Sequence, residues 1–393
     1  METWGKNEKL TLYFFFSLFS LTLAGKAILN PALPIIENEL QINHTLTLFI
    51  LSTSNILSVA LIVSAPLVIN KIGTKKTMIV AIVFPVMSFF LVFLSKSYIQ
   101  LLMSMIFIGV GQLYAPTSVS YILNTFSESN GKRIIGILQT CPSFTYVISF
   151  LISGFIAQTS SWRISYLILG IIGSIVTFLF IRGFIEINTY VDIEKRKVYS
   201  NSKHIIKSLL QNKLYVLFIL MYGLMNAISI GSVSLVVLFL TNNLTVSVGF
   251  SGLILGISRT GGIIGPIIST KIKKNYTLIM FVCTAFITIL ILSLYFTNMW
   301  LFVLICLFFT FLLSTVFYPI SQLYVSTIVP STNITMAVSG FYLSMMIIAG
   351  IVSPIVSGII ADTFNIKSTF IYLSSLGLIS TFISLYLYKE KKK

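Results

Sequence analysis

Two basic side chains lie inside long apolar stretches of the sequence, where an ionised group is expensive to bury. Arg259 lies about ten residues into the stretch 250–270, which places it roughly 15 Å along a helix and near the middle of a bilayer. Arginine stays charged and presents a planar fork that suits a carboxylate or a phosphate. Arg259 therefore predicts a contact with an anionic substrate. The alternative is a structural tie to helix carbonyls or to a tyrosine or glutamine side chain.

Lys26 is the second cation inside an apolar stretch. It lies about sixteen residues into the stretch 10–30, or roughly 24 Å from the inner end of a helix. Two interpretations stay open: a side chain that lines a cavity and binds substrate, or one that extends to the outer membrane interface. Glu37 and Glu39 follow on the same side of the membrane and are candidate partners for its ammonium group.

The acidic residues show the opposite pattern, since all ten lie in loops or at the ends of apolar stretches. A carboxylate buried in the membrane would attract a lipophilic cation, and this sequence offers none. The three cysteines lie inside apolar stretches, the two histidines lie in predicted loops, and no cluster has metal-ligand spacing. No phosphate-binding loop of the form GxxxxGK(S/T) is present. We therefore predict no metal, no cofactor, no catalytic residues and no ATP-driven step.

Composition explains why these charges matter. Hydrophobic residues make up 56% of the 393 positions and charged residues only 9%, against roughly a quarter in soluble domains. The mean hydropathy is +0.98. A multi-pass membrane protein is predicted, which excludes a soluble enzyme and a nucleic-acid-binding protein. Since backbone groups cannot stay unpaired in lipid, the membrane segments are expected to be helices. The sequence contains about twelve stretches of suitable length, at 10–30, 46–69, 77–95, 98–125, 134–157, 164–184, 214–240, 250–270, 277–296, 299–327, 334–360 and 368–388.

The longest polar segment, 185–213, divides these stretches into six and six. We predict an all-α membrane protein with an N-terminal six-helix bundle at 1–184, a cytoplasmic linker at 185–213 and a C-terminal six-helix bundle at 214–393. With both termini in the cytoplasm, 21 of the 26 lysines and arginines fall on the inner side and three on the outer side. The basic charge is therefore a topology signal. The first stretch lacks an A-x-A-like cleavage site and is expected to remain as a helix.

The two halves contain a weak repeat. APLVINKIGTKK at 65–76 corresponds to GPIISTKIKKN at 265–275, with an offset of 200 residues. SFLISGFIAQ at 149–158 corresponds to SPIVSGIIAD at 353–362, with an offset of 204. Matches in the same order at nearly one offset are typical of transporters built from repeated bundles.

This layout resembles the major facilitator superfamily over nearly the whole chain. In that superfamily, the loop between helices two and three has the motif Gly-x-x-x-Asp-Arg-x-Gly-Arg-Lys. In this sequence Asn70 stands in place of the aspartate. The antiporter motif of helix five is degenerate at 149–154, and Met105 replaces the arginine of helix four. SWRISY at 161–166 and NPALP at 30–34 are similar to exporter branches. The residues that the resemblance and the repeat mark for gating are Asn70, Lys71, Gly73, Lys75, Lys76, Gly154, Pro266, Lys271, Pro354 and Gly358.

In that family, helices one, four, seven and ten line a central cavity, and helices two, five, eight and eleven form the interface between the halves. Polar and aromatic residues on these helices are further candidates for substrate binding, and interhelical hydrogen bonds are the alternative for each. Besides Arg259 and Lys26, the candidates are Asn55, Gln112, Tyr114, Gln139, Tyr146, Tyr222, Asn226, Tyr318, Gln322 and Tyr342.

The sequence predicts a secondary active exporter of a small anionic or zwitterionic organic molecule, for example a metallophore or a siderophore-like metabolite. A multidrug efflux pump is the first alternative, and a lipid flippase or membrane receptor has weaker support. The predicted partners are the substrate and the lipid bilayer, with protons as a candidate coupling ion and no nucleic acid. A monomer in a bacterial cell membrane is expected.

Overall fold

The computed structural model describes residues 6–114, 117–118, 121–122, 126, 134, 137–138, 140–186, 202–272, 274–330 and 333–390. Over these residues the regular structure is helical. The helices are α1 (Lys6–Ala27), α2 (Leu29–Leu40), α3 (His44–Ile72), α4 (Thr74–Leu94), α5 (Tyr98–Ile108), α6 (Cys141–Thr159), α7 (Trp162–Glu186), α8 (Ser202–Gln211), α9 (Lys213–Asn242), α10 (Val248–Arg259), α11 (Gly261–Ser269), α12 (Tyr276–Phe296), α13 (Trp300–Ile328), α14 (Ile334–Ser344), α15 (Ser353–Thr363) and α16 (Ile366–Glu390).

The described part of the chain contains eleven helical spans long and apolar enough to cross a membrane. A shorter apolar helix, Tyr98–Leu113, corresponds to the fourth predicted stretch. The all-helical, multi-pass prediction is therefore confirmed. The division into two bundles and a linker stays a prediction, because much of the segment 185–213 lies outside the described residues. Its described part contains α8, and α7 continues to Glu186.

The first span is longer than predicted. The stretch was expected to end near position 30, at the NPALP sequence, whereas the span runs from Thr11 to Leu40. Pro31 lies in the first turn of α2, where a backbone N–H has no helical partner and proline is tolerated. The chain therefore passes from α1 to α2 with a break only at Ile28.

Irregular turns also interrupt three further apolar segments. A 3-10 turn, Gly109–Leu113, follows α5, and Thr260 separates α10 from α11. Between α14 and α15, residues Met345–Val352 form a π-helical segment. Such segments interrupt the regular helical hydrogen-bond ladder and are frequent at functional sites.

The most extensive contacts between the halves are two helix crossings, and α2 also packs against α9. In one, α6 packs along α10, and in the other, α15 packs along α3. We call the end of the molecule where α3 and α10 begin the outer end, and the end that carries Lys71 and Lys271 the basic end. Lysines favour the cytoplasmic side of a membrane protein, so we expect the basic end to face the cytoplasm.

Candidate functional site

Arg259 is the last residue of α10, and its guanidinium group lies against two aromatic rings. Its Cζ is 4.5 Å from the ring centroid of Tyr146 on α6 and 4.1 Å from that of Phe311 on α13. Its Nε is buried and has no hydrogen-bond partner among the described residues. The ion pairs among the described residues are His44–Glu37 and Arg163–Glu39, and Arg259 belongs to neither. Arg259 is therefore a cation without a described anionic partner.

The cation–π contacts of Arg259 do not offset the cost of burying its charge, which indicates that a ligand supplies the missing anionic partner. A cation–π contact contributes about 0.5–2 kcal/mol, whereas burial of an unpaired charge costs several kcal/mol. A structural tie to helix carbonyls would offset part of this cost, but no such hydrogen bond from Nε occurs among the described residues. The two rings hold the side chain in place and leave its N–H groups available for an oxygen-rich ligand.

Arg259 lies at the depth expected from the sequence. It is eleven residues from the start of α10 at Val248, and Phe311 is eleven residues from the start of α13 at Trp300. Both positions are about 16 Å from the outer ends of their helices. This depth is close to the middle of a hydrocarbon layer about 30 Å thick.

Lys26 turns inward and does not extend to the membrane interface. Its Nζ donates to Oδ1 of Asn55 on α3 at 2.9 Å. The candidate partners Glu37 and Glu39 do not pair with it, because both lie at least eleven residues further along the same span, about 16 Å away. Glu37 instead contacts Nδ1 of His44 at 2.9 Å.

Glu39 joins two segments of the N-terminal half at the outer end. Its carboxylate accepts from Nη1 of Arg163 at 2.6 Å and from Nε1 of Trp162 at 2.8 Å. Arg163 also donates from Nε to the carbonyl of Ser95 at 2.8 Å. The Trp-Arg pair that the sequence singled out is thus held within one half of the molecule.

Four aromatic rings cluster in the C-terminal half. Tyr222 on α9 is buried, and its ring centroid lies 4.7 Å from that of Phe341, 6.0 Å from that of Tyr318 and 6.1 Å from that of Phe317. Asn226, one turn further on α9, donates to the Tyr222 carbonyl at 2.8 Å and is itself buried. The amide of Asn226 is therefore partly used within its own helix.

Gln322 is exposed, and its Nε2 donates to the hydroxyl of Tyr342 at 3.3 Å. It follows Tyr318 by four residues, so both lie on one side of α13. The structure thus brings several of the predicted aromatic and amide residues together around α9, α13 and α14.

Other predicted site residues do not join this group. Tyr114 is buried, and its hydroxyl donates to the carbonyl of Phe15 at 2.8 Å, which ties two helices of the N-terminal half together. Gln112 lies half-buried in the 3-10 turn. Gln139 lies outside the described residues. A packing role therefore describes Tyr114 better than a ligand contact does.

The predicted gating glycines Gly154 and Gly358 lie at the two crossings between the halves. A Cβ atom on Gly154 would be 2.9 Å from Cα of Gly252, and one on Gly358 would be 2.5 Å from Cα of Thr45. Real Cβ atoms do not approach other atoms so closely. Both positions therefore need glycine for close contact of the helices at the outer end.

Beside each glycine, a side chain caps the start of a helix in the other half. The Asp362 carboxylate accepts from the backbone N–H of His44 at 2.9 Å, from that of Thr45 at 3.0 Å and from the Thr45 hydroxyl. Oε1 of Gln158 accepts from the backbone N–H of Gly249 at 2.7 Å. We call these two contacts, Asp362 with His44 and Thr45, and Gln158 with Gly249, the outer clasp.

Sequence reasoning missed the outer clasp, although a signal for it was present. From the sequence, Asp362 is one of the acidic residues at the ends of apolar stretches, with no predicted partner. Gln158 and Asp362 end the repeated segments SGFIAQ and SGIIAD, and they are 204 residues apart. Their partners Thr45 and Gly249 are also 204 residues apart. The repeat thus relates both members of each contact.

The remaining gating candidates lie toward the basic end or within the crossings. Gly73 has φ +84° between α3 and α4, a conformation that favours glycine. Lys71, Lys76 and Lys271 are exposed, Lys75 and Pro266 are half-buried, and Pro354 is buried in the first turn of α15. Asn70 belongs to α3, and its side chain lies outside the described part of the structure.

Comparison with known proteins fits this arrangement. The family model of the Major Facilitator Superfamily matches residues 14–288 and 219–393. No curated protein matches the sequence. The chain is similar in structure to a bacterial homologue of the human lysosomal transporter Spinster, inward-facing and unoccupied, with 12% identity, 98% of each chain covered and a TM-score of 0.82. It is also similar to the nucleoside transporter NupG, with 12% identity, 97% of this chain and 100% of that chain covered, and a TM-score of 0.78.

Proposed function

Because the chain belongs to the major facilitator superfamily, we propose that it is a secondary active exporter of a small anionic or zwitterionic organic molecule. Family membership and fold establish a multi-pass transporter that moves a small molecule across a lipid bilayer and is not an enzyme. The substrate class, the direction and the coupling are the proposal.

Arg259 is the observation that carries the substrate class. It lies near mid-depth, it is fixed against Tyr146 and Phe311, and its buried Nε has no described partner. A carboxylate or phosphate on the substrate would supply the missing charge through paired N–H···O bonds. An amphipathic body would then pack on Tyr318, the half-buried ring of the aromatic group around Tyr222.

Alternating access gives the arrangement a mechanism. In this fold, the two bundles rock around a site near the midplane. The outer clasp joins the bundles at the outer end, and its release would open the site to that side. Substrate would enter from the basic end, bind Arg259 and leave after the clasp opens.

Export is supported by the resemblance of the Trp162–Arg163 segment and the degenerate helix-five motif to exporters. A cell that secretes a carboxylate-rich metal chelator needs such a protein, so a metallophore is a fitting example of the substrate. We place the protein as a monomer in a bacterial cell membrane. Protons are the candidate coupling ion, carried by edge carboxylates such as Glu37 and Asp362 or by groups of the substrate.

A multidrug efflux pump is the second candidate, and one observation favours it. The aromatic group of Tyr222, Phe317, Tyr318 and Phe341 suits a broad range of amphipathic molecules. The acidic side chains that the structure describes lie at helix ends and not at the depth of this group. A lipophilic cation would therefore meet Arg259 without a nearby described carboxylate to compensate.

Thermal unfolding of the purified full-length protein in lipid nanodiscs distinguishes the two candidates. The probes are citrate and nitrilotriacetate as anions, and tetraphenylphosphonium as a lipophilic cation. We expect the carboxylates to raise the Tm of the wild type and not of Arg259→Gln. Stabilisation by tetraphenylphosphonium alone, equal in both proteins, would overturn the anion proposal and favour the multidrug pump.

A further inference from the structure

The repeat relates the two midplane polar residues of the crossings. Asn55 and Arg259 are 204 residues apart, and so are Gly350 and Tyr146. The contact of Arg259 with Tyr146 in one crossing therefore corresponds to the contact of Asn55 with Gly350 in the other. Each crossing carries one polar side chain at the same depth, about 16 Å from the outer end of its helix.

The amide of Asn55 is fully engaged between the halves. Its Oδ1 accepts from Lys26 Nζ at 2.9 Å, and its Nδ2 donates to the carbonyls of Gly350 at 3.0 Å and Leu51 at 3.2 Å. A Cβ atom on Gly350 would be 2.9 Å from Cγ of Asn55, so the backbone of Gly350 packs directly against the Asn55 side chain. Lys26 and Asn55 belong to the N-terminal half, and Gly350 lies in the π-helical segment Met345–Val352.

Contacts continue from this point to the outer end along α3. The Ser52 hydroxyl donates to the carbonyl of Ile351 at 3.4 Å, and Thr45 touches Gly358 and is capped by Asp362. One face of α3 therefore contacts the π segment and α15 from mid-depth to the outer clasp. Asn55 is the member of these α3 contacts at mid-depth. Among the described residues, the Lys26 side chain is linked to them only by its hydrogen bond to Asn55.

We propose that Lys26 senses the anionic group of the substrate, and that Asn55 transmits its displacement to the crossing of α3 with α15. An ammonium group donates three hydrogen bonds, and a carboxylate is a stronger acceptor than an amide. When the substrate draws Lys26 away, Oδ1 of Asn55 loses its donor inside a closed interface. A buried acceptor without a donor destabilises the closed crossing, so the state in which α3 and α15 separate becomes favoured.

Asn55 is in this account a positioning residue and not a substrate contact. The identity of the ligand as an anion rests on the proposed function, but the link from Lys26 to the outer clasp does not require it. Removing the Lys26–Asn55 hydrogen bond by mutation should release the crossing without any substrate. The two parts are therefore separable by experiment.

Double electron–electron resonance on the full-length protein in lipid nanodiscs tests the link. One pair of spin labels, at the exposed positions Asn38 and Phe364, spans the outer end. A second pair, at the exposed positions Lys71 and Lys271, spans the basic end. The three native cysteines are buried and are replaced by alanine in all samples.

Without substrate, Asn55→Ala and Lys26→Met are each expected to raise the ratio of long to short outer distances by about 5-fold, the value of one hydrogen bond. The basic-end distance should shorten in the same samples. Tyr166→Phe is the matched control, because it removes a buried hydrogen bond to the Gly25 carbonyl within one half. That variant should match the wild type.

Unchanged outer distances in Asn55→Ala would overturn the coupling role, even if Arg259 proves essential for binding carboxylates. Longer outer distances without a shorter basic-end distance would also overturn it, since they would show local loosening and not rocking. Conversely, the expected shifts together with a failure of citrate to stabilise the wild type would refute the anionic substrate and leave the coupling intact.

Discussion

Replacing Asp362 with alanine is expected to open the outer end of the transporter. The carboxylate accepts three hydrogen bonds from His44 and Thr45 across the interface between the halves. It also places a negative charge at the start of α3, which a helix N-terminus favours. These hydrogen bonds exist only while α3 and α15 are together, so removing them changes the balance between closed and open states and not only the stability of one half.

The size of the effect follows from the cap that the carboxylate forms on α3. Removing a helix N-cap side chain costs about 0.5–2 kcal/mol. Because Asp362 accepts several hydrogen bonds, we expect a cost of about 1–2 kcal/mol, which raises the open-to-closed ratio roughly 5- to 30-fold. Gln158→Ala removes a single neutral hydrogen bond to Gly249 and is expected to raise the ratio by about 5-fold. Lys367→Ala is the control, because Lys367 bonds Asn298 at the outer end within one half.

Labelling from outside the cell measures this ratio. Ser234 is buried at the interface, where its hydroxyl donates to Asn30 at 2.8 Å. A Ser234→Cys reporter, in a background without the native cysteines, reacts with a membrane-impermeant maleimide only when the outer end opens. Its labelling rate should rise in the order Lys367→Ala, Gln158→Ala, Asp362→Ala. Equal rates for Asp362→Ala and the parent protein would refute the outer clasp as a determinant of closure.

Three further outcomes are expected. Lys26→Met should weaken substrate binding roughly 10- to 100-fold, the value of a charged hydrogen bond, as measured by titration of the purified protein; a change in abundance alone would instead favour a purely structural lysine. Arg259→Lys keeps the charge but loses the planar fork, so its transport rate should fall between those of the wild type and Arg259→Gln; a rate equal to that of Arg259→Gln would show that charge contributes nothing. Tyr114→Phe should lower thermal stability by about 1 kcal/mol through loss of the bond to Phe15 and leave the transport rate unchanged; lost transport with unchanged stability would contradict the packing role.

Much of the fold follows from hydropathy, because a membrane helix needs a long apolar stretch and lipid permits few alternatives. The depth of Arg259 was predictable for the same reason. The extent of the first span was not, since Pro31 signals a helix end in isolation but fits the first turn of α2. Nor was the break at Thr260 after Arg259 visible in the hydropathy.

The site was only partly predictable, because partner choice depends on three-dimensional neighbours. Glu37 and Glu39 were candidate partners of Lys26, yet its side chain reaches Asn55 on the adjacent helix. Tyr114 has a side chain that is common in ligand sites, but its hydroxyl donates a hydrogen bond to the backbone carbonyl of Phe15. The equivalence of Asn55 with Arg259 was encoded in the repeat, and only the observed contacts gave it meaning.

Untargeted mass spectrometry of cells tests the central claim, which is export of an anionic compound through Arg259. Cytosol and spent medium are compared for a deletion strain, a complemented strain and an Arg259→Gln strain, in rich and metal-poor growth, with the membrane abundance of each protein matched. The account predicts an anionic compound that accumulates inside the deletion and Arg259→Gln cells and disappears from their medium. If no endogenous compound changes, and the deletion strain instead becomes sensitive to cationic dyes, the claim is contradicted and Arg259 does not select the substrate.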